Sequence, residues 1–551
     1  MPTSRKTGVL AFGVVPILAI CAGTDGLQSA CMLPEQELNE TYNAGMRLLR
    51  EKQYHSALAQ FELLERKSPQ KPQGYTGEGI ALALMGKQQE SINALRKALE
   101  VDRNFWVARR ELGIIYWQAN QKEPAIKELS VILKLFPNDP PVNLILGQYE
   151  FERGNYRQAS YHLKKAGAEH AADPKLPLMA AEAHLRSGSK EEANQVLHDL
   201  ESRQDLSPQQ RFQLGWLLGD AGEYAGSVHV LESLPDNYPE QFGRGYGIAL
   251  AYYEQAKFSN CIGILNDLKD RKIVRPEVFN LLGAAEEENH DTIAAYNAFR
   301  DGIRAFPSDD QNYLSIATLC AEHSNLDLAS EILSSGILLM PDDYKLYLSR
   351  GAVRRLARQL QLAEADFEHA VSIAPDRGDV HLGLGICLID EDKIDEAIVA
   401  FREGLHQQPN DLMLHYFLAD SLLRRGITGG SLSYGEALGT VEASLRIEPG
   451  FAQGYLQRGR LELLNHQIEN ALLDLERAHA LAPESREITY QLAVAFRTVG
   501  KKAEAEKLFS KVSEATDRDA ADFRTGQLQD AIIALSKSKR PPDVPNIRPS
   551  D

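Results

Sequence analysis

Residues 380–409, VHLGLGICLIDEDKIDEAIVAFREGLHQQP, decide the fold of this chain. Apolar residues recur three and four positions apart in both halves of the stretch, and a polar turn separates the halves, which predicts two amphipathic helices. The small residues Gly385 and Ala397 allow the helices to cross closely, and Phe401 lies on the same helix face as Ala397, one turn further on. Pro409 ends the second helix. The stretch therefore predicts a helical hairpin.

This hairpin recurs along the chain at a step of 34 residues. In every unit a second small residue stands twelve positions after the first, and a large apolar residue stands four positions later. One insertion of six residues, in the twelfth unit, interrupts the step. The first small residue recurs as Gly45, Gly79, Gly113, Gly147, Ala181, Gly215, Ala249, Gly283, Ala317, Gly351, Gly385, Ala419, Gly459 and Ala493. A unit this short must share its core with its neighbours. The 551 residues therefore predict one elongated array of about fourteen helix pairs, not the three or four domains that length alone suggests.

These columns resemble the tetratricopeptide repeat family, whose period is also 34 residues. The resemblance covers residues 38–518. It is carried in the third and eleventh units by Leu112, Gly113, Tyr116, Ala125 and Pro137, and by Leu384, Gly385, Ala397, Phe401 and Pro409. It implies an all-α fold: a right-handed superhelical solenoid of about fourteen helix-turn-helix repeats, with the insertion near residues 427–435.

Two segments follow the repeats. Residues 519–536 continue an amphipathic pattern, and we expect them to form a capping helix because a terminal repeat needs a polar outer face. Residues 537–551 are rich in proline and are predicted to form a disordered tail.

Residues 1–30 have the composition of a signal peptide or an N-terminal anchor. A basic start is followed by an apolar run, Val9 to Ala22, that is shorter than the roughly 20 residues of a membrane-spanning helix. Cleavage is expected after Ala22 or after Ala30, since both are small residues. The second cut would expose Cys31, as in bacterial lipoproteins, although Gln28 stands where their signal has an apolar residue. We expect an exported, periplasmic or envelope-associated protein; a cytosolic protein with an apolar start is the alternative.

The composition gives little sign of catalysis or of nucleic-acid binding. Lys and Arg number 60 against 77 Asp and Glu, a net charge of −17, whereas nucleic-acid binding needs a basic face. No two histidines are three or four residues apart, and nucleotide, hydrolase and zinc-protease motifs are absent from the sequence. We therefore predict no enzyme activity, no metal and no cofactor. The glycine-rich insertion is either a lengthened turn or an anion site at a helix start, and the acidic runs 286–288 and 390–392 are either solvated faces or metal ligands.

The resemblance also implies that the first helices of successive repeats line a concave groove. Aromatic residues and arginines are the residue types that dominate binding energy at protein interfaces. The candidate groove residues of these types are Arg110, Trp117, Tyr253, Arg355, Tyr416, Arg424, Arg460 and Arg497. The alternative for the aromatic members is that they pack between repeats. Because arginines gather in the C-terminal third and bind carboxylates in a forked geometry, we expect an acidic or extended peptide there.

These observations predict a non-catalytic protein–protein interaction scaffold that acts in or at the bacterial cell envelope and binds proteins or extended peptides in its groove. Contact with a membrane is expected only through the N-terminal segment. The alternative is a regulatory or substrate-presenting subunit of an envelope polysaccharide-synthesis or glycosyl-transfer complex.

Overall fold

The computed structural model describes residues 33–514, and the predicted leader with Cys31, the capping helix and the proline-rich tail lie outside them. The described residues form 28 α-helices and one short 3₁₀ helix, Ala168–His170, with no strand between residues 33 and 514. The prediction of an all-α array of helix pairs is confirmed.

The chain divides into two compact units, residues 1–204 and 205–551. The described part of the first unit contains α1 (Leu33–Arg50), α2 (Tyr54–Lys67), α3 (Pro72–Leu84), α4 (Gln88–Val101), α5 (Trp106–Gln118), α6 (Lys122–Leu135), α7 (Pro140–Glu152), α8 (Tyr156–Ala166), α9 (Lys175–Ser187) and α10 (Lys190–Glu201).

The described part of the second unit contains α11 (Pro208–Ala221), α12 (Tyr224–Glu232), α13 (Gln241–Glu254), α14 (Phe258–Asp270), α15 (Pro276–Glu288), α16 (Thr292–Ala305), α17 (Asp310–Glu322), α18 (Leu326–Leu339), α19 (Tyr344–Leu356), α20 (Leu360–Ile373), α21 (Gly378–Asp390), α22 (Ile394–Gln407), α23 (Leu412–Arg425), α24 (Leu432–Ile447), α25 (Ala452–Leu464), α26 (Ile468–Leu481), α27 (Arg486–Thr498) and α28 (Lys502–Glu514).

Small residues set the closeness of each helix pair. Gly385 lies on α21 directly against the buried ring of Phe401 on α22. A Cβ atom at Gly385 would lie 2.3 Å from the Cε1 atom of Phe401, which is closer than real contacts allow. The partner column of small residues is equally buried, as Ala397 shows. A larger side chain in either column would therefore force the pair apart.

The helices pack in one repeated order within each unit. We call the odd-numbered helices first helices and the even-numbered ones second helices. Each first helix packs against the second helix of its own pair, and each second helix packs against the next first helix. First helices also contact one another directly, from α1 to α7 in the first unit and from α11 to α27 in the second. Each unit therefore has a face made of first helices, the first-helix face.

The insertion of the twelfth repeat lengthens one turn. The turn between α21 and α22 comprises residues 391–393, whereas α23 and α24 are separated by residues 426–431. Ser431 caps α24 by accepting a hydrogen bond from the backbone N–H of Tyr434 at 3.2 Å. The lengthened-turn interpretation of the glycine-rich stretch therefore fits the structure.

No helix between residues 33 and 514 combines the length and the apolar character that crossing a membrane requires.

Candidate functional site

The eight predicted groove residues all lie on first helices. Arg110 and Trp117 belong to α5 in the first unit, and the other six belong to the second unit. Those six are spread over α13, α19, α23, α25 and α27. The repeat register therefore placed these residues on the correct helix type, but their contacts decide what each can do.

The aromatic candidates are mostly packed. Tyr253 is 7% exposed and Tyr416 is 8% exposed, and each has an edge-on aromatic neighbour, Phe258 and Phe451 respectively. Burial, together with the nearby carboxylates of Glu288 and Glu254, raises the pKa of Tyr253 to about 12. Trp117 is partly buried between two core clusters. The packing alternative fits Tyr253 and Tyr416.

The arginine candidates are mostly paired inside the chain. The Nε atom of Arg355 lies 2.6 Å from Oδ2 of Asp390 and that of Arg424 lies 2.6 Å from Oδ2 of Asp420.

Two further candidates are also paired. Arg110 donates from Nε to Asp139 at 2.8 Å, and Arg460 lies 3.7 Å from Glu487. Arg497 is exposed and stacks over the ring of Phe509 at 5.3 Å. Most of the arginine charge is thus neutralised within the chain, which weighs against the acidic peptide expected there.

Two other arginine clusters follow the same pattern. Asp366 on α20 accepts from Arg350 at 2.6 Å and from Arg354 at 2.8 Å, and Arg458 donates to Asp474 at 2.7 Å. These pairs link a first helix to the second helix of its own repeat. They stabilise the array and do not leave a basic binding surface.

The acidic runs and cysteines do not assemble a metal centre in the described part of the chain. Residues 33–514 contain no group of three or more His, Cys, Asp or Glu side chains placed to hold a metal ion. Within the run 286–288, Glu287 accepts from His323 at 2.9 Å. Cys261, Cys320 and Cys387 are buried thiols, and burial raises their pKa values to about 12, 11 and 12. Cys261 stands in the second column of small residues, 34 positions after Ser227, and is buried in the core.

A chain of polar contacts in the first unit had no counterpart in the sequence patterns. The Oγ atom of Ser160 lies 2.7 Å from Nδ1 of His184, and Nε2 of His184 lies 2.8 Å from a carboxylate oxygen of Glu169. The connectivity is that of an activated serine. However, Ser160 and His184 are both buried, so these contacts satisfy core polar groups and tie α8 to α9. Their sequence separations follow no helical period, so nothing in the sequence pointed to them.

A row of carboxylates crosses the first-helix face of the second unit, and we call it the acidic row. Asp220, Glu254, Glu288 and Glu322 stand 34 residues apart, at or next to the C-terminal ends of α11, α13, α15 and α17, and all four are exposed. The sequence analysis considered only the run around Glu288. Stepping from Glu288 by one repeat towards the C-terminus and by two repeats towards the N-terminus would have found the whole row.

A cavity of about 280 Å³ lies at one end of the acidic row, and we call it the Trp216 pocket. Its lining residues come from α11, α12 and α13: Trp216, Gly219, Asp220, Tyr224, Ser227, Gly247, Leu250, Ala251 and Glu254. A Cβ atom at Gly247 would lie 2.9 Å from Cδ1 of Leu231 and 3.3 Å from the edge of the Trp216 ring, so a larger residue would crowd this side of the pocket. Two glycines and one aromatic residue in the right register are too weak a signal to predict a cavity from sequence.

Comparison with known proteins agrees with the repeat pattern. The sequence model of the tetratricopeptide repeat family matches residues 355–420. A curated relative, anaphase-promoting complex subunit 3 of Schizosaccharomyces pombe, is 19% identical over 290 residues, which is 52% of this chain and 42% of that protein. The chain thus spans less than half the length of this relative.

Solved structures are also similar to this chain. Yeast Tom70 is 14% identical, with 91% of this chain and 96% of that chain covered and a TM-score of 0.36. YrrB, described as a tetratricopeptide repeat protein with an unusual peptide-binding site, is 21% identical, with 35% and 96% covered and a TM-score of 0.30. Across residues 355–420, the chain is therefore similar in sequence to the tetratricopeptide repeat family.

Proposed function

We propose that this chain is a non-catalytic scaffold that binds proteins or extended peptides on its first-helix faces. The observation that carries the proposal is the direct packing of successive first helices, which makes a continuous face in each unit. Repeat arrays use such extended surfaces for binding because each repeat adds side chains in the same register.

Site-specific photo-cross-linking tests this proposal. A cross-linking amino acid at Glu288 or Arg460 samples the first-helix face, and the same group at Leu338 or Leu473 samples the second helices, where both leucines are exposed. We expect covalent partner adducts from the first pair of positions only. Adducts confined to Leu338 and Leu473, or absent from all four positions in cells that express the chain, would contradict the proposal.

We further propose that the protein acts after export, in the periplasm or at the cell envelope. The support is the basic start and the apolar run of residues 1–30. The N-terminal residue of the chain isolated from bacterial cells tests this: Gly23 or Cys31 is expected, and a chain that retains Met1 would contradict export. A lipid adduct that disappears in Cys31→Ser would identify a lipoprotein.

A further inference from the structure

The Trp216 pocket has the size and the lining of a receptor for one side chain. The volume of the pocket is about 280 Å³, at the lower end of the range of about 300–1,000 Å³ for small-molecule sites, so it suits a small group such as one side chain. Its floor is made of small residues, among them Gly219, Gly247 and Ala251. Such a floor leaves room for a long, unbranched side chain.

The chemistry of the pocket walls favours a cation. Trp216 and Tyr224 contribute aromatic rings, which attract ammonium and guanidinium groups over their faces. Asp220 and Glu254 contribute carboxylates. The nearby cation Lys257 is directed elsewhere, because its Nζ donates to Gln255 at 2.8 Å and lies over the ring of Tyr252. A lysine or arginine side chain therefore complements the pocket.

The indole N–H of Trp216 is a second feature of the pocket that a ligand would have to match. Within the described residues, its Nε1 atom is buried and has no hydrogen-bond acceptor. The Cε2 atom bonded to it lies 3.3 Å from the Cβ position of Gly247, so the N–H edge of the ring lies against a pocket residue. A carbonyl group of a bound main chain would supply the missing acceptor, which a free metal ion or a simple ammonium ion would not.

We propose that the Trp216 pocket and the acidic row bind a basic, extended segment of a partner protein, with one lysine or arginine side chain inside the pocket. This inference rests on the proposed function and specifies the chemistry of the partner. Glu254 and Glu288 carry the electrostatic part, since both are exposed and neither has an ion-pair partner in the described part of the chain.

The repeat spacing also predicts the spacing of the basic residues. Packed helices lie about 8–10 Å apart, so neighbouring carboxylates of the acidic row are separated by about that distance. A polyproline II segment turns once in three residues and advances about 9 Å in doing so. Every third side chain of such a segment would therefore meet one carboxylate of the row, which predicts basic residues at intervals of three.

A labelled peptide of four Lys-Pro-Pro repeats tests the inference by fluorescence anisotropy with the purified full chain. The comparison peptides are four Glu-Pro-Pro repeats and a peptide of the same composition with its lysines in one block. We expect the regular lysine peptide to bind most tightly and its affinity to fall as salt rises. Equal or tighter binding of the glutamate peptide would overturn the inference.

Two variants locate the binding. Replacing the charges with Glu254→Gln and Glu288→Gln should weaken the lysine peptide about tenfold, the effect of losing two exposed ion pairs. The matched control, Glu368→Gln with Glu396→Gln, removes the same charge from exposed positions on α20 and α22 and should leave binding unchanged. Equal effects of the two double variants would overturn the inference.

The pocket itself is tested by filling it. A Cβ atom at Gly219 would have only the Ser227 hydroxyl within 4 Å, at 3.4 Å, so Gly219→Met is accommodated and places its side chain in the pocket. Gly263→Met on α14, where a Cβ atom meets nothing within 4 Å, is the control. We expect Gly219→Met alone to abolish lysine-peptide binding, with both variants keeping the helical circular dichroism of the parent. Unchanged binding to Gly219→Met would overturn the pocket assignment.

The outcome is separable from that of the proposed function. Partner cross-linking at Glu288 combined with no binding of the lysine peptide would overturn the basic-segment inference and leave the scaffold function standing. Binding that Gly219→Met abolishes would support the pocket even if no partner is cross-linked at the first-helix face.

Discussion

The second unit contains two regions that differ in whether their charged side chains are paired within the chain. In α11–α18 the acidic row is exposed, and Glu254 and Glu288 have no ion-pair partner among the described residues. In α19–α28 the arginines are numerous, but Arg355, Arg424 and Arg458 each meet an aspartate of the same chain. The arginine-rich region α19–α28 thus has fewer charges available to a partner, although it looks the more highly charged in the sequence.

The same crossing point in the repeat explains part of the difference. Arg350 and Asp366, 16 residues apart, meet where the first and second helices of that repeat cross. Two repeats earlier, the corresponding residues are Leu282 and Ala298, both buried. Apolar side chains at a helix crossing need no charged partner. An arginine and an aspartate at the crossing instead neutralise each other. A surface for partners therefore remains where the crossing is apolar and the charges lie at the helix ends.

The largest expected effect comes from breaking a charged crossing. Asp366 is 4% exposed and holds both Arg350 and Arg354. Asp366→Ala should lower the free energy of unfolding by about 3 kcal/mol because it leaves two arginines without a carboxylate. Urea unfolding followed by circular dichroism measures this. Glu368→Ala, at an exposed position of the same helix, is the control, and equal losses for the two variants would refute the distinction.

Converting one crossing to the other type is the next test. Arg458→Leu alone leaves the nearly buried carboxylate of Asp474 without its cation, and should lower the free energy of unfolding by about 2 kcal/mol. Arg458→Leu with Asp474→Val reproduces the apolar crossing of Leu214 and Val230 and should recover most of that loss. A double-mutant cycle on the unfolding midpoint gives the coupling. If the free-energy losses of the two single variants simply add in the double variant, the crossing does not depend on the pairing of Arg458 with Asp474.

A partly buried carboxyl group makes the stability of the arginine-rich region sensitive to pH. Burial, reinforced by Asp474, raises the pKa of Glu462 from 4.5 to about 7. The folded state therefore holds this proton more tightly, so its stabilising contribution is complete below pH 4.5 and is lost as the pH rises to about 7. Glu462→Gln should raise stability at pH 8 by about 1 kcal/mol, after allowance for solvent screening, and should have no such effect at pH 4.

Thermal unfolding at the two pH values measures this dependence. Glu448→Gln, at an exposed position of the same unit, is the matched control. A gain for Glu462→Gln that is the same at pH 4 and pH 8 would contradict the titration.

The smallest expected effect on stability is in the acidic row. Glu254→Gln with Glu288→Gln should change the free energy of unfolding by less than about 0.5 kcal/mol, because exposed charges contribute little to folding. Chemical denaturation of this variant beside Asp366→Ala gives the contrast directly. A loss comparable to that of Asp366→Ala would mean that the acidic row is structural.

Much of the fold was predictable because its determinants are local and repeated. Gly385, Ala397 and Phe401 specify a close helix crossing wherever their columns recur, and the observed pairs obey that rule. The candidate site was less predictable. Register correctly assigned Arg355 and Tyr416 to first helices but gave no information about their neighbours, and both are buried in the structure.

The sequence by itself determined the helix pairs, their order and the helix on which each candidate residue lies. These follow from periodicity, small residues and turn signals, which act within a few dozen residues. Only the tertiary structure decided which charges remain available. That outcome depends on side chains from different helices meeting, as Arg355 on α19 meets Asp390 on α21. A periodic pattern fixes the direction of a side chain, whereas its charge is neutralised by whatever the packed neighbour presents.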